Sequence, residues 1–105
     1  MVRRSSSLDV ELRRLLKTGK VVIGAKRSIA AIKLGKAKGV VLVTKLPKHI
    51  EDDVLYYARL SEVKVIRFPG SSYDLGTAVG KPFPITTIAI IDPGDSNLLK
   101  EEGGE

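Results

Sequence analysis

Five consecutive residues, Gly24-Ala25-Lys26-Arg27-Ser28, concentrate more hydrogen-bond donors than any other stretch of this chain. They sit between a short apolar run, Val21-Val22-Ile23, and an apolar-periodic stretch that begins at Ile29. That order reads as strand, tight glycine turn, helix. The first turn of a helix holds backbone N–H groups without intrahelical partners and carries a partial positive charge. Adding the Lys26 and Arg27 side chains and the Ser28 hydroxyl makes a seat for phosphate or for base edges.

Other chemistries find less support. The single histidine, His49, stands near Glu51, Asp52 and Asp53. No nucleophile accompanies it in the sequence, and a surface histidine beside helix N-terminal acids accounts for the same residues. With no cysteine, one imidazole and no Asp-x-Asp-x-Asp spacing, no metal site and no cofactor is expected. The stretch Gly76-Thr77-Ala78-Val79-Gly80-Lys81 is similar to a phosphate loop but departs from it twice. Only three residues separate its glycines, and Pro82 stands where Ser or Thr is required. The simpler reading is that Gly76 permits close packing and Gly80 ends a helix. There is no G-x-G-x-x-G, so a dinucleotide site has no support.

Charge favours a polyanion. Residues 1–48 hold 13 Lys and Arg against only Asp9 and Glu11, whereas residues 49–105 hold five Lys and Arg against ten acids. The formal net charge is +6. Lys-rich solvated loops would explain scattered charge but not a half so depleted of acids, so a polyanionic partner is favoured over a small neutral ligand. At 105 residues the chain fits one domain with one core, and 43% hydrophobic content places it among globular proteins. Absence of cysteine excludes disulfides, thiolate metal sites and cysteine nucleophiles, and fits a reducing cytoplasm. The apolar runs are too short to span a membrane, so no membrane partner is expected.

The elements that must position the turn can be read from spacing. Ser6 and Asp9 resemble a capping box. Leu8, Leu12, Leu15 and Leu16 then share one helical face, and Gly19 ends the helix. A strand follows at Lys20–Ile23. The second helix starts near Arg27 or Ser28, places Ile29 and Ile32 inward and stops at Gly35. The run Gly39–Thr44 reads as a strand buried on both faces. A third helix spans His49–Leu60, with Ile50, Val54, Ala58 and either Tyr57 or Leu55 inward and Glu51, Asp52 and Asp53 in its first turn. A strand at Lys64–Phe68 precedes a short helix at Tyr73–Val79, capped by Ser71 or Ser72. Pro82 and Pro84 keep Lys81–Ile85 irregular. The last strand is Thr86–Ile91, followed by a turn at Asp92–Ser96 and a short helix at Asn97–Lys100. Residues 1–6 read as a flexible basic arm and 101–105 as a frayed tail. Helices alternating with short apolar strands predict an α/β fold, a three-layer α/β/α sandwich with a four-stranded mixed, largely parallel central sheet.

Ligands of open α/β sheets bind at the C-terminal ends of the strands. Three loops are expected there: Gly24–Ser28, Lys45–Lys48 and Lys81–Ile85. Two are basic. The third carries Phe83 and Ile85 between prolines, residues that either plug the core edge or pack on an unstacked base.

Several short segments, in order and at the right separations, give the chain a resemblance. They are Thr18-Gly19-Lys20, the Gly24–Ser28 turn, and Tyr56-Tyr57-Ala58 with Leu60. Asp74-Leu75-Gly76-Thr77 with Gly80-Lys81 follows, and then Ile91-Asp92-Pro93-Gly94-Asp95-Ser96. From about Leu8 to Leu99 the chain resembles the archaeal and eukaryotic large-subunit ribosomal family called L-thirty-e, part of a wider group that binds kink-turn RNA. The resemblance implies a non-enzymatic, cytoplasmic ribosomal protein that binds a kinked rRNA internal loop with tandem sheared G·A pairs. It implies neighbouring ribosomal proteins as further partners, and a monomer in isolation.

By the same resemblance Gly24, Ala25, Lys26, Arg27 and Ser28 enter the RNA groove, and Phe83 and Ile85 supply its apolar contact. One position departs from the family. Asn is common two residues before the loop proline, where this chain has Lys45 ahead of Pro47. Asn offers a donor and an acceptor, whereas Lys is a donor only. Lys45, with Lys48 nearby, is therefore expected to meet phosphate. A relative acting in another ribonucleoprotein particle, or alone as an RNA regulator, would use the same surface. A small enzyme acting on a phosphorylated substrate at Gly24–Ser28 would need an acid–base pair that the sequence does not place.

Overall fold

The β-branched run Val40–Val43 forms the centre of the molecule because each of its faces has an apolar layer to bury against. In the computed structural model, which describes residues 5–96 and Leu98, it belongs to a strand whose five residues are all buried. The elements are α1 (Ser5–Thr18), β1 (Lys20–Ile23), α2 (Ala25–Lys33), β2 (Gly39–Val43), α3 (Lys48–Leu60), β3 (Lys64–Phe68), α4 (Ser72–Ala78) and β4 (Thr87–Asp92). Alternation along the strands sorts the core into two clusters. Val41, Val43, Ile88 and Ile90 pack with Leu12 and Leu15 of α1 and Leu75 and Ala78 of α4. Val40, Leu42 and Ala89 pack with Ala31 and Ile32 of α2 and Val54 and Ala58 of α3.

The four strands lie in the order β1-β4-β2-β3. β2 and β3 are parallel, but β4 is antiparallel to both of its neighbours, β1 and β2. The expectation of a largely parallel sheet is therefore corrected: the sheet is mixed, and most of its pairings are antiparallel. β1, β2 and β3 do run the same way, as alternating helices and strands imply. The exception has a physical cause in α4. Its seven residues rise only about 10 Å, against about 16 Å for the five residues of β3, so it does not carry the chain back along the sheet. A left-handed Gly80 (φ 76°) then reverses the backbone, with Lys81 N–H donating to the Gly76 carbonyl and Gly80 N–H to the Thr77 carbonyl. The chain re-enters the sheet at the same end of the strands from which it left, and β4 slots in backwards between β1 and β2.

Helix boundaries differ from the sequence reading in four places. α1 begins at Ser5, so Ser6 lies within the helix and not at its cap, and residues 5 and 6 belong to the helix and not to the expected arm. α2 begins at Ala25, with Gly24 as its N-cap, which moves Lys26 and Arg27 into the first turn. α3 begins at Lys48, which leaves Glu51 as the acid of its first turn and Asp52 and Asp53 beyond it. α4 runs one residue earlier at each end than expected, and of the two expected caps it uses Ser71, whose side chain accepts from Asp74 N–H while the Asp74 carboxylate accepts from Ser71 N–H. Residues 1–4, the expected helix at Asn97–Lys100 except Leu98, and the tail at 101–105 lie outside the described residues.

Candidate nucleic-acid interface

Reversal of β4 assembles the site. Its start lies against the C-terminal ends of β1 and β2, and backbone hydrogen bonds tie the segments edge to edge. Gly24 N–H donates to the Thr87 carbonyl at 2.9 Å, and Val43 N–H donates to the Thr86 carbonyl at 3.1 Å. Thr44 N–H donates to the Phe68 carbonyl at 3.1 Å. The Thr44 hydroxyl then donates to the Gly70 carbonyl and accepts from Gly70 N–H, both at 3.2 Å. Gly24–Arg27, Thr44–Lys48 and the loop before β4 consequently share one edge of the molecule.

At the first of these segments Gly24 adopts φ 113° and ψ 145°, a region closed to residues with a Cβ. A Cβ placed there would meet nothing within 4 Å, so glycine is required by the backbone dihedral and not by crowding, and the space above the turn is open. The helix that Gly24 caps receives no side-chain cap. Its first intrahelical bond is from Ser28 N–H to the Gly24 carbonyl at 2.9 Å. Helix geometry leaves the N–H groups of Ala25, Lys26 and Arg27 ahead of that bond without an intrahelical acceptor. The side chains of Lys26 and Arg27 are exposed beside them, and Ala25 is half-buried. Ser28 is placed differently. It is fully buried, and its hydroxyl donates to the Val22 carbonyl at 3.2 Å, latching α2 to β1.

Lys45 and Lys48 are exposed in the second loop, which Leu46 anchors by packing against both core clusters. Two acids of α3 are engaged with neighbouring cations: Lys48 Nζ lies 3.4 Å from Asp52 Oδ1, and Glu51 pairs with Arg67 of β3. His49 is exposed among them.

The third loop divides the pair that the sequence left ambiguous. Ile85 is buried in the cluster under α1 and α4, and its N–H donates to the Ser72 carbonyl at 2.9 Å. Phe83 stands out, 48% exposed. The loop is held in place by Gly76, where an added Cβ would fall 2.1 Å from the Phe83 carbonyl oxygen. Gly76 and Gly80 thus serve packing and helix termination, and the phosphate-loop likeness has no structural counterpart. Tyr73, 70% exposed on α4 beside this loop, was not singled out from the sequence. Its signal was its place on the face of α4 opposite the buried Leu75 and Ala78.

The structure therefore gathers Gly24, Lys26, Arg27, Lys45, Lys48 and Phe83 at one end of the sheet and turns Ser28 and Ile85 inward. Such an arrangement offers backbone donors and cationic side chains around a small apolar contact. Among the described residues no cluster of His, Cys, Asp or Glu is arranged to hold a metal ion, and no helix is long and apolar enough to cross a membrane.

Comparison with known proteins adds an independent line. Residues 6–100 match the model of the ribosomal protein L7Ae/L30e/S12e/Gadd45 family. The chain is 52% identical over 93 residues to the large ribosomal subunit protein eL30 of Saccharolobus solfataricus, covering 89% of this chain and 86% of that one. It is 48% identical over 96 residues to the protein of the same name from Sulfurisphaera tokodaii, covering 91% of each. With its namesake from Methanocaldococcus jannaschii it shares 43% identity over 110 residues, covering 99% of this chain and all of the other.

Proposed function

The chain belongs to the ribosomal protein L7Ae/L30e/S12e/Gadd45 family, and on that premise we propose that it is a structural constituent of the large ribosomal subunit that binds a kinked rRNA internal loop. It acts as a single RNA-binding domain in the cytoplasmic ribosome, with neighbouring ribosomal proteins as further partners. Its activity is binding and not catalysis. The two apolar clusters on alternate faces of the strands support a three-layer α/β/α sandwich as the scaffold.

The observation that carries this reading is the antiparallel insertion of β4, which brings two cationic loops and one exposed aromatic ring to a single edge. RNA grooves are recognised by donors and by stacking on bases that a kink exposes. In this mechanism the N–H groups at the start of α2 and the side chains of Lys26 and Arg27 meet phosphates and guanine edges. Open space over Gly24 admits the RNA backbone. Lys45 and Lys48 neutralise phosphates on the opposite wall, and Phe83 packs on an unstacked base. Ser28 and Ile85 act from inside, fixing α2 and the loop before β4. With Lys45 in place of an amide, this wall supplies charge and gives up an acceptor, so affinity survives better than discrimination.

The test is a binding titration against a kink-turn RNA and a fully paired duplex of equal length at two salt concentrations. Neutralising about five phosphates predicts that log K falls with log[salt] at a slope of roughly −4 to −5. Preference for the kinked RNA that persists at the higher salt is the expected result. Equal and equally salt-sensitive binding to both would overturn the reading, because the basic half would then act by charge alone. Co-sedimentation with the large subunit separates a ribosomal role from action in another particle.

A further inference from the structure

The helices α1 and α4 cover one face of the sheet, opposite α2 and α3. Two recesses open side by side between them and meet at Arg13. The first, about 330 Å³, is bordered by Asp9 of α1 and by Asp74 and Thr77 of α4. The second, about 220 Å³, is mainly apolar, with Leu16 and Val79 beside Arg13 and Lys17. Asp9, Arg13 and Lys17 recur at every fourth residue, so along this side of α1 a carboxylate is followed by a guanidinium and then an ammonium. Asp9 and Lys17 are separated by about 12 Å of helix, or about two turns. Two features mark the groove as a surface that is covered. Asp9 Oδ1 is buried, and no described residue donates to it. A buried carboxylate oxygen ordinarily has a donor, and leaving it without one is costly. Asp74, by contrast, accepts from Ser71 N–H at 3.0 Å and caps its own helix. Arg13 and Lys17 are exposed, and among the described residues neither is in an ion pair, although Arg14 beside them pairs with Glu11. Like charges four residues apart repel, so both cations gain from an acid brought from outside.

We propose that this groove seats a helix of a neighbouring ribosomal protein. That helix brings a basic side chain to Asp9 and an acidic side chain to Lys17, with apolar residues between them over Leu16 and Val79. The proposal rests on the reading of the chain as a ribosomal protein with protein neighbours, and it names where one of them docks and by what chemistry. Charge order selects the occupant. A strand of RNA would bring phosphates against Asp9 and Asp74 and be repelled there. A wholly basic segment would meet Arg13 and Lys17, and a wholly acidic one Asp9 and Asp74. A helix with a cation and an anion about two turns apart satisfies both ends at once. A third helix laid along two others also packs by the ordinary fit of side-chain ridges into grooves.

The probes are three end-capped, alanine-based helical peptides with two leucines flanked by charges about two turns apart. One carries Lys and Glu, one Lys and Lys, one Glu and Glu. Each is titrated into the full-length protein and followed by backbone NMR shifts. The Lys/Glu peptide should shift Asp9, Arg13, Lys17, Thr77 and Gly80. It should bind about 2- to 30-fold more tightly than either of the others, the range for turning one exposed ion pair into a repulsion. Lys17→Glu should move the preference to the Lys/Lys peptide. Because Lys17 is exposed, that variant is read in a folded protein. Asp9→Lys should move the preference to the Glu/Glu peptide, and if it does not fold, Lys17→Glu alone decides. Equal affinity for the three peptides, shifts outside the groove, or a preference that Lys17→Glu leaves in place would overturn the proposal. So would displacement of the bound peptide by kink-turn RNA, which would give the groove to RNA. Co-sedimentation with the large subunit reads the ribosomal role separately. If the chain co-sediments while no peptide is preferred, the groove is refuted and the ribosomal reading stands. If the preferences follow charge order while the chain does not co-sediment, the ribosomal reading fails and the charge-ordered docking groove remains.

Discussion

Replacing Phe83 and Ile85 by alanine, one at a time, separates the two tasks of the loop before β4. Two residues apart, they differ in exposure by a wide margin, 48% against 3%. Ile85 lies among Leu12, Leu15, Leu75 and Ile88, so its truncation removes buried methylenes and leaves a cavity, a change that costs about 2–5 kcal/mol. Phe83 is about half covered. A phenylalanine side chain presents roughly 200 Å², and after allowing for the area an alanine still buries, about 70 Å² is lost, or about 1–1.5 kcal/mol once denatured-state compactness is included. Binding should rank the other way. Phe83→Ala forfeits a base stack of about 1–3 kcal/mol, while Ile85→Ala leaves the exposed surface in place. Urea unfolding monitored by far-ultraviolet circular dichroism gives the first ranking. A titration with kink-turn RNA, corrected for the folded fraction, gives the second. The slope of log K against log[salt] should be unchanged in both variants, because neither removes a charge. If Phe83→Ala proves the more destabilising substitution, or binds kinked RNA as tightly as wild type, the assignment of these two side chains is wrong.

Three further substitutions test the local geometry. Gly24→Ala must place a Cβ at φ 113° with open space around it, so the loss is backbone strain alone, about 1–3 kcal/mol of stability by urea unfolding. Ser28→Ala removes the bond to the Val22 carbonyl and should cost about 1 kcal/mol of stability, while affinity for kinked RNA stays at the wild-type value. A fall in affinity without a fall in stability would put Ser28 back in the interface. Glu62 closes α3 at φ 56°, with its N–H donating to the Arg59 carbonyl and Val63 N–H to the Ala58 carbonyl, a cap that ordinarily employs glycine. Glu62→Gly should therefore raise stability by about 0.5–1 kcal/mol, the left-handed strain relieved less the added chain entropy, and a lower midpoint in urea would contradict it.

What the sequence revealed, and what it concealed, follows from how local each signal is. Periodicity and end signals placed all eight elements, because Gly19, Gly35, Gly80 and the serine cap at Ser71 or Ser72 act on their own backbone neighbourhood. The buried run of β2 was equally plain, since only a strand covered on both faces tolerates Val40-Val41-Leu42-Val43. Strand direction was not legible. It depends on whether a connection is long enough to return along the sheet, and α4 has the signature of a crossover helix without the length of one. In the candidate site the exposed cations of the Gly24 turn and of the Lys45 loop followed from composition. The inward turn of Ser28 did not, because a hydroxyl at the fourth position of a helix reads the same whether it faces a phosphate or the Val22 carbonyl. Phe83 and Ile85 were separable only once Gly76 was seen to fix the register of the loop against α4.

The segments that carry the family likeness divide between those that build the sheet and those that face outward, and β4 explains the division. At its far end, Gly19 leaves room for the Asp92 carbonyl, which an added Cβ would approach to 2.1 Å. Asp95 N–H donates to the Thr18 hydroxyl at 2.8 Å, and that hydroxyl in turn donates to the Arg14 carbonyl. Gly94 N–H donates to Asp92 Oδ1, and the Ser96 hydroxyl to the Pro93 carbonyl, so the Asp92–Ser96 turn is braced internally before it docks on the end of α1. The Thr18-Gly19 and Asp92–Ser96 segments, distant in the chain, are thus two halves of one clamp. At the near end of β4, Gly24 N–H meets the Thr87 carbonyl, and Gly76 admits the loop that leads into the strand. A reversed strand between two others has no crossover helix to hold its ends. Clamps at both ends supply that constraint, and the near clamp is also the edge where Lys26, Arg27, Lys45 and Phe83 converge. Stability of β4 and presentation of the loops proposed to face RNA are therefore one structural requirement, and substitutions at Thr18 or Gly19 should weaken binding through the strand, away from the proposed interface.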